Sequence, residues 1–234
     1  MGHQEENPES LAIRRNVEGM AAAKILNAEY ECLGIDDGQI YVNSENLRLL
    51  IHKIRQFAPD LIITHRSCDY HRDHRYTSQL VMDSSYMLIV PHYYPEVPPY
   101  SRKLPIICYG MDSFIRPYLF IPHVIIDISE EISEKYRAIA CHESQVFEWL
   151  PWTVRREKQA KIALKLNQKS KIIEQLESEL FGILHKRIQL LLKKEFEGKK
   201  VKSLEAFEIS EYGYQPSKSE LHDLFPDAYF HQDL

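Results

Sequence analysis

The sequence predicts an α/β protein in which helices cover a mostly parallel sheet. Short apolar runs rich in β-branched residues alternate, over the first two thirds of the chain, with segments whose apolar side chains recur every three or four positions. This alternation is typical of parallel strands joined by helical crossovers. A chain of 234 residues with 44% hydrophobic content is also long enough to bury a substantial core.

The first four predicted elements follow from composition and from the spacing of apolar residues. Alanine enrichment favours the first helix, and Leu50, Ile51 and Ile54 place one face of the second helix on the core. Pro59 ends that second helix. In order, the elements are a helix over 11–26, a strand over 30–35, a helix over 44–57 and a strand over 61–63.

The same alternation continues to about residue 152. Between the third helix and the next strand lies a loop, residues 91–103, that is dense in proline and tyrosine. Its tyrosines either roof a ligand pocket or pack against the sheet as a rigid connector. The elements predicted here are a helix over 76–90, strands over 104–109 and 123–128, and a helix that begins near Ser129.

The last third of the chain, residues 153–234, is predicted to be a helical extension that packs on an α/β domain formed by residues 1–152. Residues 155–196 are lysine-rich, and their apolar spacing indicates one long helix or two stacked helices. A coiled-coil arm for homo-oligomers is one interpretation. The other is a helix packed on its own domain, because no strict seven-residue repeat is sustained. After a loop at 198–200, residues 205–214 return to the sheet or to a pocket rim.

Charge, cysteine content and hydropathy argue against several classes of function. A formal net charge of -5 and a pI of about 6.1 give no electrostatic reason to expect a nucleic-acid partner. The four cysteines form no Cys-x-x-Cys pair, which is typical of thiols in a reducing compartment and predicts a cytoplasmic protein. The apolar runs are far shorter than the roughly 20 residues that a bilayer requires, so no membrane span is expected.

The candidate functional residues are concentrated in residues 64–75, directly after the strand predicted at 61–63. This stretch holds three histidines and two aspartates, and ligand sites of α/β sheets lie beyond the carboxyl ends of such strands. If a helix begins near Asp69, His71 and His74 share one of its faces. One of them can then bind a divalent metal while the other contacts a substrate oxygen. The alternative is a charged, solvated loop.

The segment from Asp69 to Arg75 resembles the second signature of the PIG-L/LmbE-like zinc-dependent N-deacetylases, Asp-x-His-Pro-Asp-His-Arg. Arg72 stands where proline is commonest. Other stretches resemble the family in the same order, so the resemblance covers most of the chain and implies a Rossmann-like three-layer sandwich. These stretches are residues 16–22, 57–65, 124–128 and 142–145.

The chain departs from the family at an earlier signature. In the family, a His-Pro-Asp-Asp segment supplies two zinc ligands and the general base, and no such segment occurs here. Asp36, Asp37 and Gly38 are interpreted as a turn. We expect an N-terminally truncated chain that begins near the loop after the family's second strand and holds one of three zinc ligands. Weak zinc binding and impaired activity follow.

The resemblance implies a zinc-dependent hydrolase that removes an N-acetyl group from an amino sugar or a sugar conjugate. His74 would be the Zn²⁺ ligand, and Asp73 would orient a histidine. His71 would stabilise the oxyanion or protonate the leaving amine, as an imidazolium held by a carboxylate. The residues expected to line the pocket mouth are Arg66, Asp69 and Tyr70.

Two other functions are compatible with the same residues. A phosphoesterase would use these histidines and aspartates with a second metal. A non-catalytic remnant would instead act as an interaction module through the long basic helix. His142 is interpreted either as a tie between its helix and the sheet or as a catalytic group.

Overall fold

The computed structural model describes residues 2–191, 196–197 and 201–230. The chain forms two compact units, one of Met1–Asp37 with Ile128–Arg187 and the other of Gly38–Asp127 with Ile188–Leu234. The predicted boundary after residue 152 lies inside the first unit. The division into a domain of residues 1–152 and an extension stays a prediction. The two compact units are defined by contacts and do not follow that division. The loop predicted at 198–200 and residues 192–195 of the predicted basic helix lie outside the described residues.

The helices and strands follow the predicted order in most places. The helices are α1 Pro8–Ile25, α2 Ser44–Phe57, α3 Arg72–Met87, α4 Ile132–Ile139, α5 Leu150–Thr153, α6 Glu157–Lys165, α7 Lys169–Leu191 and α8 Lys218–Leu224, with a π-helical segment at Ser144–Trp149. The strands are β1 Leu61–Thr64, β2 Ile106–Gly110, β3 Val124–Asp127, β4 Leu204–Gly213 and β5 Tyr229–Phe230. None of the described helices combines the length and the apolar composition needed to cross a membrane.

The sheet of the second unit confirms the α/β class but corrects the predicted strand pairing. Its described strands are ordered β1-β2-β4-β3-β5, and only β1 and β2 pair in parallel. The expectation of a mostly parallel sheet was wrong because β4 lies between β2 and β3 and runs antiparallel to both. The predicted strands β2 and β3 do point the same way, yet neither hydrogen bonds to the other. β4 comes from residues that were expected to return to the sheet or to a pocket rim, within the segment predicted to be a helical extension.

Helices cover both faces of this sheet, which gives the three layers that the resemblance implied. Adjacent residues of a strand point to opposite faces. Leu61 packs with Leu221 of α8 and with β3, whereas Ile62 packs with Ile51 and Ile54 of α2. The site described below therefore lies at the end of a strand that is packed on both sides.

The proline- and tyrosine-rich loop packs as a connector. Tyr93, Tyr94 and Tyr100 contact the apolar cluster around Ile51 of α2. The loop follows the C-terminus of α3, whose 16 residues span about 24 Å, so it lies far from the histidines at the other end of that helix. The buried guanidinium of Arg55 donates to six backbone carbonyl oxygens, those of Met87, Leu88, Val90, Tyr93, Tyr94 and Val97.

The first unit is helical in its described part. The strand expected at 30–35 is wrong, because these mostly exposed residues form no regular structure and have no partner strand among the described residues. The predicted basic helix is two helices, α6 and α7.

The buried carboxylate of Glu18 accepts hydrogen bonds from the backbone N–H of Ser144 at 2.9 Å and from its hydroxyl at 2.7 Å. This serine ties the segment at 142–145 to α1, while the role of His142 stays a prediction.

Candidate active site at the carboxyl end of strand β1

The candidate site lies in the second unit, in the loop between β1 and α3. The loop is held by its own polar atoms. Asp69 Oδ1 accepts from the backbone N–H of His71 at 2.7 Å, and Arg75 donates to the carbonyl oxygen of Asp69 at 2.6 Å. α3 begins at Arg72 because the side chain of His71 caps the helix. The histidines and aspartates predicted from sequence are therefore fixed around the N-terminus of one helix.

Three side chains of this loop and helix place possible metal ligands close together. His65, Asp69 and His74 each offer one atom, and these three atoms lie within 4.8 Å of one another. The rings of His65 and His74 stack with centroids 4.2 Å apart and planes 6° apart. His74 Nδ1 lies 3.1 Å from Asp69 Oδ1, although this buried nitrogen makes no hydrogen bond of acceptable geometry with any part of the chain that the structure describes.

The donor types of this group fit a divalent metal of the zinc type, but one of the two imidazoles must turn to bind it, because stacked rings direct their lone pairs in parallel planes. Two ligands of a tetrahedral zinc are about 3.3 Å apart when the bonds are 2.0–2.1 Å long, close to the separation of His74 Nδ1 and Asp69 Oδ1. Two imidazoles and a carboxylate are also a donor set that zinc accepts. Partial desolvation, and then the neighbouring His74, lower the pKa of His65. A neutral ring keeps a lone pair for a metal.

His71 lies beside this donor group in a defined tautomer. Its ring centroid is 4.9 Å from that of His74, and its Nδ1 accepts from the backbone N–H of Asp73 at 3.2 Å. A ring nitrogen that accepts carries no proton, so this hydrogen bond assigns a neutral ring with the proton on Nε2. The imidazolium expected from sequence would have to give up this cap.

Asp73 and Arg72 hold a preceding segment of chain against the N-terminus of α3. The buried Asp73 accepts from the backbone N–H of Gly38 at 2.6 Å through Oδ2, while its Oδ1 has no hydrogen-bond partner among the described residues. Arg72 donates to the carbonyl oxygens of Gly38 and Ile40 at 3.0 and 3.2 Å. Its guanidinium also lies over the ring of Tyr41, 4.1 Å from the centroid. The expected role of Asp73 in orienting a histidine stays a prediction.

Arg66 is buried beneath the loop and not at its surface. It forms a bidentate ion pair with Asp112, with Nε–Oδ2 and Nη2–Oδ1 distances of 2.8 and 2.9 Å. It also donates to the carbonyl oxygens of Phe114 and Tyr118 at 3.0 and 3.1 Å. These contacts fix the loop after β2 next to the histidines. Direct contact of Arg66 with a substrate stays a prediction. Such a contact would require some of these hydrogen bonds to break.

Tyr70 lies at the outer edge of the histidine group. Its side chain is 76% exposed, and its ring makes edge contacts with the rings of His71 and His74 at 5.8 Å each. This position agrees with the expected pocket mouth, although contact with a ligand stays a prediction. Asp69, which was expected at the same rim, is one of the three side chains of the donor group, and its contact with a substrate stays a prediction.

Sequence reasoning missed two residues of this region. His65 was treated only as the residue after the strand, although a donor at the carboxyl end of a buried strand is itself a signal of a site. Glu208 on β4 is buried and accepts from the backbone N–H of Ile121 at 2.8 Å, and its Oε2 lies 3.9 Å from Arg66 Nη1. Burial raises the pKa of its carboxyl group. No sequence pattern places Glu208 near Arg66.

A second group of possible ligands in the first unit is already neutralised by an arginine. His3, Glu6 and Glu148 bring one atom each within 4.8 Å of one another. Arg14 forms ion pairs with Glu6 and Glu148, and its hydrogen bonds lower the pKa of Glu148. This group is an ion-pair network and a weaker candidate for a metal.

Comparisons with known proteins give one family match and several structures of similar fold. Residues 1–85, which contain the whole histidine group, match the family described as PIG-L: GlcNAc-PI de-N-acetylase. The crystal structure of GalB, the 4-carboxy-2-hydroxymuconate hydratase from Pseudomonas putida KT2440, is similar with 18% identity and a TM-score of 0.62, covering 91% of this chain and 78% of that chain. The inhibitor complex of N,N'-diacetylchitobiose deacetylase from Pyrococcus horikoshii is similar with 21% identity and a TM-score of 0.61, covering 90% and 68%. At these identities the two structures show a shared fold.

Proposed function

We propose that the chain, whose residues 1–85 match the PIG-L family, is a zinc-dependent hydrolase that removes an N-acetyl group from an amino sugar or a sugar conjugate. The observation that carries the proposal is the convergence of His65, Asp69 and His74 within 4.8 Å at the carboxyl end of β1. The similar Pyrococcus horikoshii protein is named a diacetylchitobiose deacetylase, which supports the substrate class. The cytoplasm is the proposed compartment, supported by four cysteines that are all unpaired.

Each of the described site residues would have a separate role in amide hydrolysis. His65, Asp69 and His74 would hold the metal, which when bound would polarise a carbonyl group and acidify a water molecule. His71 would donate its Nε2 proton in a hydrogen bond to the carbonyl oxygen, where negative charge develops during attack. The N-terminus of α3 contributes partial positive charge at the same place. Asp73 and Arg72 would keep that terminus in position.

We also propose that these 234 residues by themselves turn over substrate slowly. The family resemblance assigns the general base and two zinc ligands to a His-Pro-Asp-Asp segment that this sequence does not contain. His65 and Asp69 can replace ligands, because they lie next to His74. Neither of them replaces a base while it holds a metal. Measurable zinc binding with little acetate release is therefore the expected behaviour.

Zinc titration by calorimetry separates the proposed roles. We expect His74→Ala and His65→Ala to weaken zinc binding at least about 10-fold, because each removes one of three ligands. His71→Ala should keep zinc affinity within about 3-fold and lower any acetate release by about 10²-fold. His222→Ala, far along the chain in α8, is the matched control. Loss of zinc in the His71 variant with retention in the His74 variant would show that their roles are exchanged, and equal loss in both would show that His71 is also a ligand.

Product analysis separates the deacetylase from its two rivals. The purified chain would be incubated with N-acetylglucosamine conjugates and zinc, and with an aryl phosphate and manganese. Release of acetate in the first reaction supports the proposal. Release of phosphate alone would replace it with a phosphoesterase. Failure to bind zinc at millimolar concentration, together with no product from either substrate, would favour a non-catalytic remnant.

A further inference from the structure

We infer that a cavity in the first unit is a binding site for an uncharged mono- or disaccharide. The cavity has a volume of about 600 Å³, which lies in the range of roughly 300–1,000 Å³ that small-molecule sites occupy. Its walls come from three parts of this unit, namely residues 4–5, the segment that holds Phe147 and Trp152, and α6. The inference adds a binding site to the chain and does not depend on the proposed hydrolysis.

Two lysines of α6 line the cavity without a partner. Lys158 and Lys161 are three positions apart, so they lie on the same side of the helix. Neither ammonium group forms an ion pair or a hydrogen bond with any residue that the structure describes. An ammonium group has three N–H donors and no acceptor. One wall of the cavity therefore offers hydrogen-bond donors that nothing in the described chain uses.

Carboxylates on the walls supply acceptors and balance the charge of the lysines. Glu5 and Glu157 line the cavity, and within the described part of the chain their side chains make no ion pair or hydrogen bond. A third carboxylate, Glu148, is already neutralised by an ion pair with Arg14 at 2.5 Å. Two free ammonium groups and two free carboxylates leave no excess charge. The lining therefore selects a ligand with many hydrogen-bonding groups and no net charge.

Aromatic side chains provide the apolar part of the lining. Phe147 and Trp152 both line the cavity, and Trp149 stacks against Trp152 with ring centroids 5.2 Å apart and planes 18° apart. Phe147 belongs to the π-helical segment Ser144–Trp149, and such segments occur frequently at functional sites. A sugar ring presents C–H groups that pack on aromatic surface and hydroxyls that both donate and accept. This combination matches the aromatic surface and the free donors and acceptors of the cavity.

The N-terminal wall is held in place by a buried histidine. The side chain of His3 is 2% exposed, and its Nδ1 accepts from the backbone N–H groups of Glu5 and Glu6 at 3.2 and 3.0 Å. Its Nε2 lies 2.8 Å from Oε2 of Glu148. The buried amide oxygen of Gln4 has no hydrogen-bond partner among the described residues, and a ligand hydroxyl would supply one once the amide turns toward the cavity. A wall that is already ordered loses little conformational entropy on binding.

Tryptophan fluorescence tests the site, because the chain has two tryptophans and both belong to the stacked pair at this cavity. The full chain would be titrated with cellobiose, maltose and N,N'-diacetylchitobiose. We expect a saturable change with at least one of them, with a dissociation constant between about 0.1 and 10 mM. No change with any of the three up to about 50 mM would overturn the inference. A response to glucuronate alone would also overturn it, because the lysines would then form an anion site.

Lysine variants locate the bound sugar. Lys158→Ala and Lys161→Ala should each raise the dissociation constant about 5-fold, since each removes a hydrogen-bond donor to the ligand. Lys165→Ala is the matched control, because Lys165 lies on the same helix but does not line the cavity, and it should behave like the unchanged chain. Circular dichroism would confirm that the variants fold. Equal effects of the Lys161 and Lys165 substitutions would contradict the assigned site.

His74→Ala separates this cavity from the proposed zinc site. His74 belongs to the other unit, so the fluorescence titration of this variant should match that of the unchanged chain. A response that disappears in His74→Ala would mean that the sugar binds at the histidine group, which overturns the inference and supports the proposed hydrolase. A response that persists, in a chain that binds no zinc, would support the cavity and refute the proposed function.

Discussion

His71 has one observed role and one proposed role at the N-terminus of α3, and each uses a different ring nitrogen. Nδ1 accepts from the backbone N–H of Asp73 and caps the helix. The same bond places the ring proton on Nε2, the atom that the proposed mechanism offers to the substrate. A cap is ordinarily a short polar side chain. Under the proposed mechanism, a histidine in this position would couple the start of the helix to the chemistry.

Two substitutions at His71 separate the cap from the chemistry. We expect His71→Ala to lower the free energy of unfolding by about 1 kcal/mol, the usual cost of losing a cap. His71→Asn should keep most of that stability, because an asparagine oxygen also accepts from the helix N–H, yet it should lose acetate release like the alanine variant. Denaturant unfolding and product assays measure both effects. Equal destabilisation by the two substitutions would mean that the cap contributes nothing.

The buried carboxyl group of Glu208 should make the free energy of unfolding depend on pH. Burial raises the pKa of its carboxyl group in the folded chain, so the folded state holds the proton more tightly than the unfolded state. Its contribution to stability is therefore greatest at low pH and is lost as the pH rises from the unfolded value, about 4.5, through the folded value.

Replacing Glu208 by glutamine should remove this pH dependence. The glutamine side chain keeps an oxygen for the N–H of Ile121 but carries no charge at any pH. We expect the free energy of unfolding of Glu208→Gln, relative to the unchanged chain, to increase as the pH rises from about 4.5 to about 8. Urea unfolding at several pH values measures it, and Glu211→Gln on the exposed end of β4 is the control. A difference that stays constant, or that decreases with pH, would contradict the assigned direction.

At the scale of elements, local signals were predictable and distant pairings were not. α2 has the predicted bounds because Asn43 caps its start and its apolar face is continuous. β4 alternates buried and partly buried residues. Its partner strands β2 and β3 lie far upstream, so no local sequence pattern predicts that β4 lies between them. The strand expected at 30–35 has the right residues and no partner among the described strands.

The candidate site shows the same limit. Asp69, His71 and His74 follow β1 closely and were named from that position, whereas His65 was missed as a possible ligand. The groups that hold them in place were not predictable, because Asp112 and Gly38 reach Arg66 and Asp73 from distant parts of the chain. Sequence order therefore indicated where the candidate residues lie, and tertiary packing determined the contacts that hold them.

The end of β4 requires a glycine, and a second glycine provides the comparison. Gly213 has a φ of 78°, and a Cβ there would lie 2.4 Å from the carbonyl oxygen of Pro105. Gly34 has a similar φ of 76° with nothing within 4 Å. We expect Gly34→Ala to cost about 1 kcal/mol for the backbone conformation alone, and Gly213→Ala to cost about 3 kcal/mol, because the clash adds to it. Equal shifts in denaturant midpoint would show that Pro105 moves freely away.

At the scale of the whole molecule, both compact units are built from distant parts of the chain. The second unit takes β1, β2 and β3 from Gly38–Asp127 and β4 from Ile188–Leu234. β4 lies between β2 and β3 and hydrogen bonds to both of them. Residues 1–152, which were predicted to form an α/β domain, therefore do not contain the complete sheet. The boundary predicted after residue 152 makes this testable.

A fragment of residues 1–152 should fail to fold by itself. It keeps β1, β2 and β3 but loses β4, so the facing edges of β2 and β3 lose their backbone partner and the apolar residues around Val124 and Cys108 are uncovered. We expect poor dispersion in its amide NMR spectrum and no cooperative thermal unfolding. Adding residues 153–234 as a separate polypeptide should restore both, because β4 is then supplied in trans. A fragment that unfolds cooperatively without its partner would mean that the three strands pair directly and that the sheet forms before β4 is added.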